Sequence, residues 1–512
     1  MWSSFIPLIL EIYLFCKFVE NNYFLFILLL PIQICVGYIV LVFSSLLVSK
    51  IFLSFVNIFH KPKEGVFRRV KSDKDYYFWC LRSILRKWPI WIVNLVHLSF
   101  FTNLLLKIFG IKTNFSNALV DGKIDCEFIE LGKNVTIGKG CFIKSCMIFR
   151  EYLIIKKTSI ADNVVIGSQS YISPGTVIGS NSFVAAFSVT KLGQNLEPDS
   201  IYNGCPAEKT GLNFKDELQL KSILEKIVFG HPSPKRLYDS TPINNEKYEG
   251  KFVKKIPTFL LIFFIIYIFA YGIPLLILIY FYIDFFNPLI LKSPTIIDIF
   301  INSDSIIVLS LTPIILIGCF LIHLILLSII TKIFYKLITH FNPPSEGVYH
   351  WEKRNKDYVD YFIRSFLIRY IKWKILRSPF PWLIKSIFNF IGNCKIGKKT
   401  VIEDMFIAKE FLEVGSNSYL GKIMIANQLW DNNLTIKKII IKNHVVVSDG
   451  TCIAPGTKIE NNVSIIPLSI TAKCDILTSQ SIYYSAPIKK IDEEYLSELF
   501  NINLLELKKQ KK

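Results

Sequence analysis

A chain of 512 residues is too long for one compact domain and points to two to four units. Hydrophobic residues make up 52%, Phe alone numbers 42 and mean hydropathy is +0.41, which excludes an ordinary soluble protein. The formal charge of +19 sits mainly outside the apolar runs, so anionic lipid or a phosphorylated small molecule is favoured as partner over nucleic acid.

Taken in order, residues 4–19 are apolar but short, and they carry Glu11 and Lys17. They either span a bilayer or lie in its interface. No basic residue precedes them, which argues against a cleaved signal peptide. Residues 22–49 carry no charge and are long enough to cross, with Pro31 as a kink. Membrane helices are therefore expected within 1–60.

Residues 61–117 read as a basic linker followed by an interfacial amphipathic helix at 88–110. Lys61, Lys63, Arg68, Arg69, Lys71, Lys74, Arg82, Arg86 and Lys87 place the linker on the cytosolic side.

From about 118 the pattern changes to a period of six. Ile154, Ile160, Ile166, Ile172, Ile178 and Val184 recur at that spacing, with Leu131, Ile137 and Ile143 upstream in the same phase. A helix would scatter such a repeat, and a simple strand shows period two. One face of a parallel β-helix fits it, each aliphatic stacking inward on its counterpart in the next coil. Gly167, Gly175 and Gly179, with Asp162-Asn163 and Ser180-Asn181, supply the corners. Residues 144–153 break the run and read as a loop thrown out of the coils. The first β-helix is bounded at 118–210, followed by a capping helix at 212–230 and a linker, together 211–255.

Two further apolar runs, 257–283 and 305–331, give membrane helices within 256–340. Asp284, Asp298 and Asp304 with only Lys292 between them mark that hairpin as the outer side. The chain then repeats itself. Glu64-Gly65-Val66-Phe67 returns as Glu346-Gly347-Val348-Tyr349, Lys74-Asp75-Tyr76 as Lys356-Asp357-Tyr358, and Arg82 as Arg364, all 282 apart. A second linker and interfacial helix occupy 341–393. A second six-residue run (Val414, Leu420, Ala426, then Ile441, Val447, Ile453, Ile459, Ile465) occupies 394–490, and a C-terminal helix 491–512. The fold class expected is membrane α-helical segments plus two tandem left-handed parallel β-helix domains arising by internal duplication. The protein would be integral to the membrane and multi-pass, with both β-helices facing the cytosol.

These stretches resemble the hexapeptide-repeat acyltransferases, whose left-handed β-helices often trimerise and take acyl-CoA. Gly204-Cys205-Pro206-Ala207 after the last coil looks like that family's G-x-P-A element near the CoA site. Membrane helices, an E-G-V-[FY] linker and a hexapeptide domain in tandem are also similar to the membrane-bound C-terminal region of poly-lysine-synthetase-type non-ribosomal peptide synthetases. The resemblance implies transfer of an acyl or aminoacyl group from acyl-CoA or a carrier-linked thioester, with no tightly bound cofactor. It implies membrane lipid, a carrier protein or peptide synthetase, and a second copy meeting through the β-helices as partners, and no nucleic acid. On its terms Ser173, Ser188, Gly204, Pro206 and Ala207 would line the pantetheine arm.

One departure stands out. The family uses a His as base, and none of the seven His falls between 118 and 210; the second β-helix holds only His444, which points outward. Glu151 in the first insert and Asp431 in the second are the candidate bases that remain, Glu151 through desolvation against Met147 and Phe149. The alternative for both is a solvated loop charge. No metal site is expected: the eleven Cys form no C-x-x-C pair and read as reduced structural thiols. The rival reading of the chain is a catalytically inactive β-helix scaffold that docks a partner synthetase at the membrane.

Overall fold

The computed structural model describes residues 2–19, 22–96, 99–119, 122–213, 256–341, 343–350, 356–403, 406–430 and 433–492, with 494 and 496. Among the described residues, three helices are long and apolar enough to cross a membrane: α2 (Tyr23–Phe59), the helical segment Leu261–Leu291 that begins within α5 (Ile256–Phe281), and α6 (Ser303–Phe341). The N-terminal run is α1 (Ile6–Phe18), 13 residues long. At about 1.5 Å per residue it falls well short of a ~30 Å hydrocarbon core. It lies against its neighbours instead. The Glu11 carboxylate accepts from Gln33 Nε2 at 2.7 Å, and the Tyr13 hydroxyl donates to the Ser293 carbonyl at 2.8 Å.

The six-residue period builds what it predicts. In the first coil Val165 pairs in parallel with Phe183, and Phe183 with Ile201, so one turn takes 18 residues, or three hexads. Three sheets result, and their inward rungs stack: Ile160 on Ile178 on Leu196, Ile166 on Val184 on Tyr202, and Ile143 on Ile172. Ile137, Ile143 and Ile172 are fully buried, and the other rungs nearly so. Burying each such side chain contributes roughly 1.5–3 kcal/mol. One corner needs left-handed backbone, which Asn tolerates. Asn134, Asn163, Asn181 and Asp199 take φ of 54–56° there and form a ladder with side-chain hydrogen bonds of 3.0–3.2 Å.

Gly167 serves a different need. A Cβ on it would lie 2.4 Å from the Ala186 backbone nitrogen and 2.7 Å from the Ala185 carbonyl carbon. Neither neighbour can swing aside, so Gly167→Ala is expected to cost about 1–3 kcal/mol. Urea unfolding followed by far-UV circular dichroism checks this; an unchanged midpoint would contradict the stacked-coil geometry.

Residues 394–491 form a second coil of the same kind, with Leu412–Val414 pairing Ile439–Ile441 and Val446 pairing Ser464. Two inward positions differ from expectation. Ile425, not Ala426, is the buried rung, because the corner after Leu420 is one residue short. Ile154 is not a rung of the first coil at all. It belongs to β3 (Tyr152–Ile155), which with β2 (Cys146–Phe149) forms an antiparallel hairpin in place of the expected loop.

The linker and interfacial helix expected at 61–117 are also different. β1 (Gly65–Arg68) adds to that hairpin beside β3. α3 (Lys74–Val93) begins inside the basic stretch, and α4 (Ser99–Ile108) turns Phe101, Leu105 and Leu106 into the first coil's core. The reason is charge. Arg82 Nε donates to Glu127 Oε1 at 2.6 Å and Arg86 binds the same oxygen, so the helix is pinned to the coil. The second half repeats this with β4 (Gly347–His350), α7 (Lys356–Leu376), α8 (Leu383–Ile391) and the hairpin strands β5 (Gln428–Trp430) and β6 (Asn433–Ile436). Its pin is Arg364 to Glu410 at 2.9 Å. Glu208–Asn213 forms a strand against Ser200–Asn203. Beyond Asn213, the helix and linker expected up to 255 lie outside the described residues, as does nearly all of the C-terminal helix.

Candidate active site

The first hairpin does not face solvent; it lies between the coils. Met147, Phe149 and Ile154, with Leu192, pack on Ile466, Ile482, Tyr484 and Leu496 of the second half. On its other face Ile148, Leu153 and Ile155 meet Val446 and Tyr419. Arg69 ties the edge, its Nη2 donating to the Asn417 carbonyl at 3.0 Å with the guanidinium over the Tyr419 ring.

Beneath the hairpin sits a charge cluster no local motif announces. Lys144 Nζ lies 2.9 Å from Asp449 Oδ2 and 3.3 Å from Asp125 Oδ1, joining the coils. Asp125 Oδ2 also accepts from the Cys146 thiol at 3.2 Å, and Asp449 Oδ1 from the Lys422 backbone N–H at 2.7 Å. Burial works against the Lys144 charge, yet Asp125 and Asp449 hold its pKa well above the ordinary range. Burial likewise opposes the Asp449 charge, but Lys144 and Lys422 pull its pKa below the ordinary value. Burial, helped by Asp125, pushes the Cys146 thiol well up. Such groups exchange no proton near neutrality, so the cluster fixes how the coils meet rather than acting as acid or base. The only sequence signal for it was a charge directly after an inward aliphatic, as in Ile124-Asp125 and Ile143-Lys144.

Glu151 is exposed at the hairpin turn, beside Arg150 with φ of 49°. The apolar burial expected around its carboxyl is not there, because Met147 and Phe149 turn to the second coil. Asp431 lies outside the described residues. Ser173 and Ser188 are buried within the coil. The Ser173 hydroxyl donates to the Thr190 carbonyl at 2.5 Å, and that of Ser188 has no hydrogen-bond partner among the described residues.

The Gly204–Ala207 corner lies beside Tyr484 of the second half. Gly204 has φ of 98°, the Cys205–Pro206 bond is cis, and the buried Ala207 donates its N–H to Val189 at 2.7 Å. Burial pushes the Cys205 thiol pKa up, and the Tyr484 hydroxyl of the second half works the other way. Ser485 has φ of 88° before a cis Ala486–Pro487 bond, so the second corner keeps this backbone shape without the Gly and Ala. His444 is exposed at a corner with φ of 57°. Among the described residues no three His, Cys, Asp or Glu side chains gather in a way that could hold a metal ion.

With that geometry in place, comparison identifies the repeat. Residues 157–191 match the bacterial transferase hexapeptide (six repeats) family. No curated protein matches the chain. Solved structures similar to parts of it include an N-acyltransferase, AntD, from Bacillus cereus in complex with dTDP-4-amino-4,6-dideoxyglucose and coenzyme A. That match has 24% identity and a TM-score of 0.16 over 19% of this chain and 60% of that one. A maltose O-acetyltransferase from Clostridium difficile 630 matches at 19% identity and a TM-score of 0.18, over 21% and 73%. A serine acetyltransferase from Neisseria gonorrhoeae matches at 22% identity and a TM-score of 0.15, over 25% and 54%.

Proposed function

We propose that this chain is a membrane-anchored, hexapeptide-type acyl- or aminoacyl-transferase. It moves an activated group from CoA or a carrier thioester onto an amine or hydroxyl at the cytosolic membrane surface, as in non-ribosomal peptide assembly. The two halves are read as tandem left-handed β-helices derived by duplication, on the cytosolic side of a multi-pass anchor.

The observation that carries this reading is the hexapeptide repeat at 157–191, followed by a Gly204–Ala207 corner that lies beside Tyr484 of the second half. Two coils side by side give a pantetheine arm a wall on each flank, and the acceptor is held by the second coil. Glu151, exposed at the hairpin turn, is the base this reading offers from the first half.

The test is transfer by the purified full chain in detergent, with labelled acyl-CoA in one arm and a carrier-loaded amino acid in the other. Label should move to an amine or hydroxyl acceptor with one of the two donors. No transfer with either donor from folded protein would overturn the reading.

One observation favours an inactive scaffold that docks a synthetase. The charged groups buried between the coils are locked in mutual pairs, and His444, the only His in either coil, is exposed and away from them.

A further inference from the structure

Among the described residues, the second coil carries buried positive charge that no carboxylate within ion-pair distance balances. Lys372 of α7 and Lys409, at the start of the coil, are each 6% exposed. Lys372 Nζ donates to the Ile407 carbonyl at 2.7 Å and lies 3.7 Å from the centre of the Phe406 ring. Among the described residues neither ammonium has a carboxylate within 4.0 Å, while Asp404 lies outside them. Glu410 is next in sequence to Lys409 but is bound by Arg364.

The electrostatics register the imbalance. Burial, then Lys409 and Arg369, bring the Lys372 pKa down to about 7. Burial, then Arg369, bring Lys409 down to about 8, with Glu410 working the other way. A buried ammonium without a counter-charge is costly, and a cluster of them more so. The first half avoids the cost: in the 282-residue register Lys372 corresponds to Ile90, and Lys409, one residue further on, to Cys126. Replacing an aliphatic and a thiol by two lysines gains nothing for the fold, so the charges have another use.

Position narrows the use. α7 and α8 pack on α6, one of the three helices apolar enough to cross a membrane. Trp373 and Trp382 beside them are half exposed, as in the aromatic belts of membrane interfaces.

We propose that Lys372, Lys409 and the exposed Arg369 form a site at the base of the second coil that binds a phosphate group, carried either by an anionic lipid headgroup or by a soluble phosphate compound. A phosphate offers several acceptor oxygens and the missing negative charge at once, and charge-assisted hydrogen bonds of this kind are the strong ones. Phe406, half exposed over Lys372, is the side chain that moves to admit it. The site does not depend on the transferase reading and stands if that reading falls.

The experiment compares the full chain with Lys372→Met/Lys409→Met at pH 7, reading thermal unfolding and phosphate binding. One arm adds inorganic phosphate or pyrophosphate in detergent, against chloride at equal ionic strength, with 31P line-broadening as a direct readout. The other places the protein in nanodiscs of phosphatidylcholine with or without phosphatidylglycerol. Stabilisation by soluble phosphate, weakened about tenfold or more in the double variant, assigns a soluble ligand. Stabilisation by phosphatidylglycerol alone, lost in the variant, assigns a lipid. The variant itself should fold at least as well as the parent, since it removes unpaired charge. If phosphate and phosphatidylglycerol act on parent and variant alike, or on neither, the proposal is overturned.

Discussion

Glu410→Ala is expected to cost about 3–5 kcal/mol, because it takes the carboxylate partner from the Arg364 guanidinium in the protein interior. The two side chains are 1% and 2% exposed and meet at 2.9 Å. Burial pushes the Glu410 pKa up even against Arg364, which pulls it down. Desolvation therefore outweighs attraction, and the pair as a whole adds little net stability compared with apolar side chains of similar size. Breaking it is another matter, since the remaining charge keeps its desolvation cost and loses its partner. Two measurements separate these statements. The single variant should lower the urea midpoint sharply, whereas Arg364→Met/Glu410→Leu should return to within about 1 kcal/mol of the parent or exceed it. A double variant as unstable as the single would show that the pair contributes through geometry that apolar packing cannot reproduce.

Lys144→Met should destabilise by a comparable ~3–5 kcal/mol at pH 7.5, and the loss should shrink on acidification. The substitution leaves the buried Asp449 and the partly buried Asp125 without their shared cation. In the parent, Asp449 has a depressed pKa. Its contribution is thus present above the unfolded value near 4 and is lost as pH falls through the lower folded value. In the variant the sign reverses: Asp449 keeps the burial that opposes its charge and loses the cation that held its pKa down, so stability returns as that carboxylate takes up a proton. Unfolding of both proteins between pH 7.5 and 5 should show the gap closing. A constant gap would mean that Lys144 acts through packing alone.

The coils were legible because stacking demands the same residue type at the same interval. Ile160, Ile166, Ile172, Ile178 and Val184 declare themselves, and so does the Asn163 corner. Ile154 shows the limit of that reading: it keeps the interval yet lies on a hairpin, where strand alternation, not coil stacking, turns it inward toward the second half. The ladder at Ile425 slipped for the opposite reason, a corner one residue short that no spacing rule anticipates. Long-range charge pairing was invisible. Arg82 and Arg364 stood out as echoes of one another, but their partners Glu127 and Glu410 lie 45 and 46 residues away on another element. Lys144 and Asp449 are further apart still, and only the meeting of the coils brings them together. The Gly204–Ala207 corner was readable as a motif; that it faces Tyr484 was not.

The hairpins themselves have parted roles. β2 and β3 drive Met147, Phe149 and Ile154 into a socket that includes Tyr484. In the second hairpin Leu429 and Thr435 occupy the places of Met147 and Ile154, and Leu429 is 40% exposed. The contact is accordingly head-to-tail: one half supplies the plug, the other the socket. A chain assembled from two first halves would have a plug but, with Asn203 where Tyr484 stands, no aromatic rim to receive it; one assembled from two second halves would have the rim and nothing to fill it. Neither half can stand in for the other, so exchange of sequence between them would erase the joint that holds the coils together.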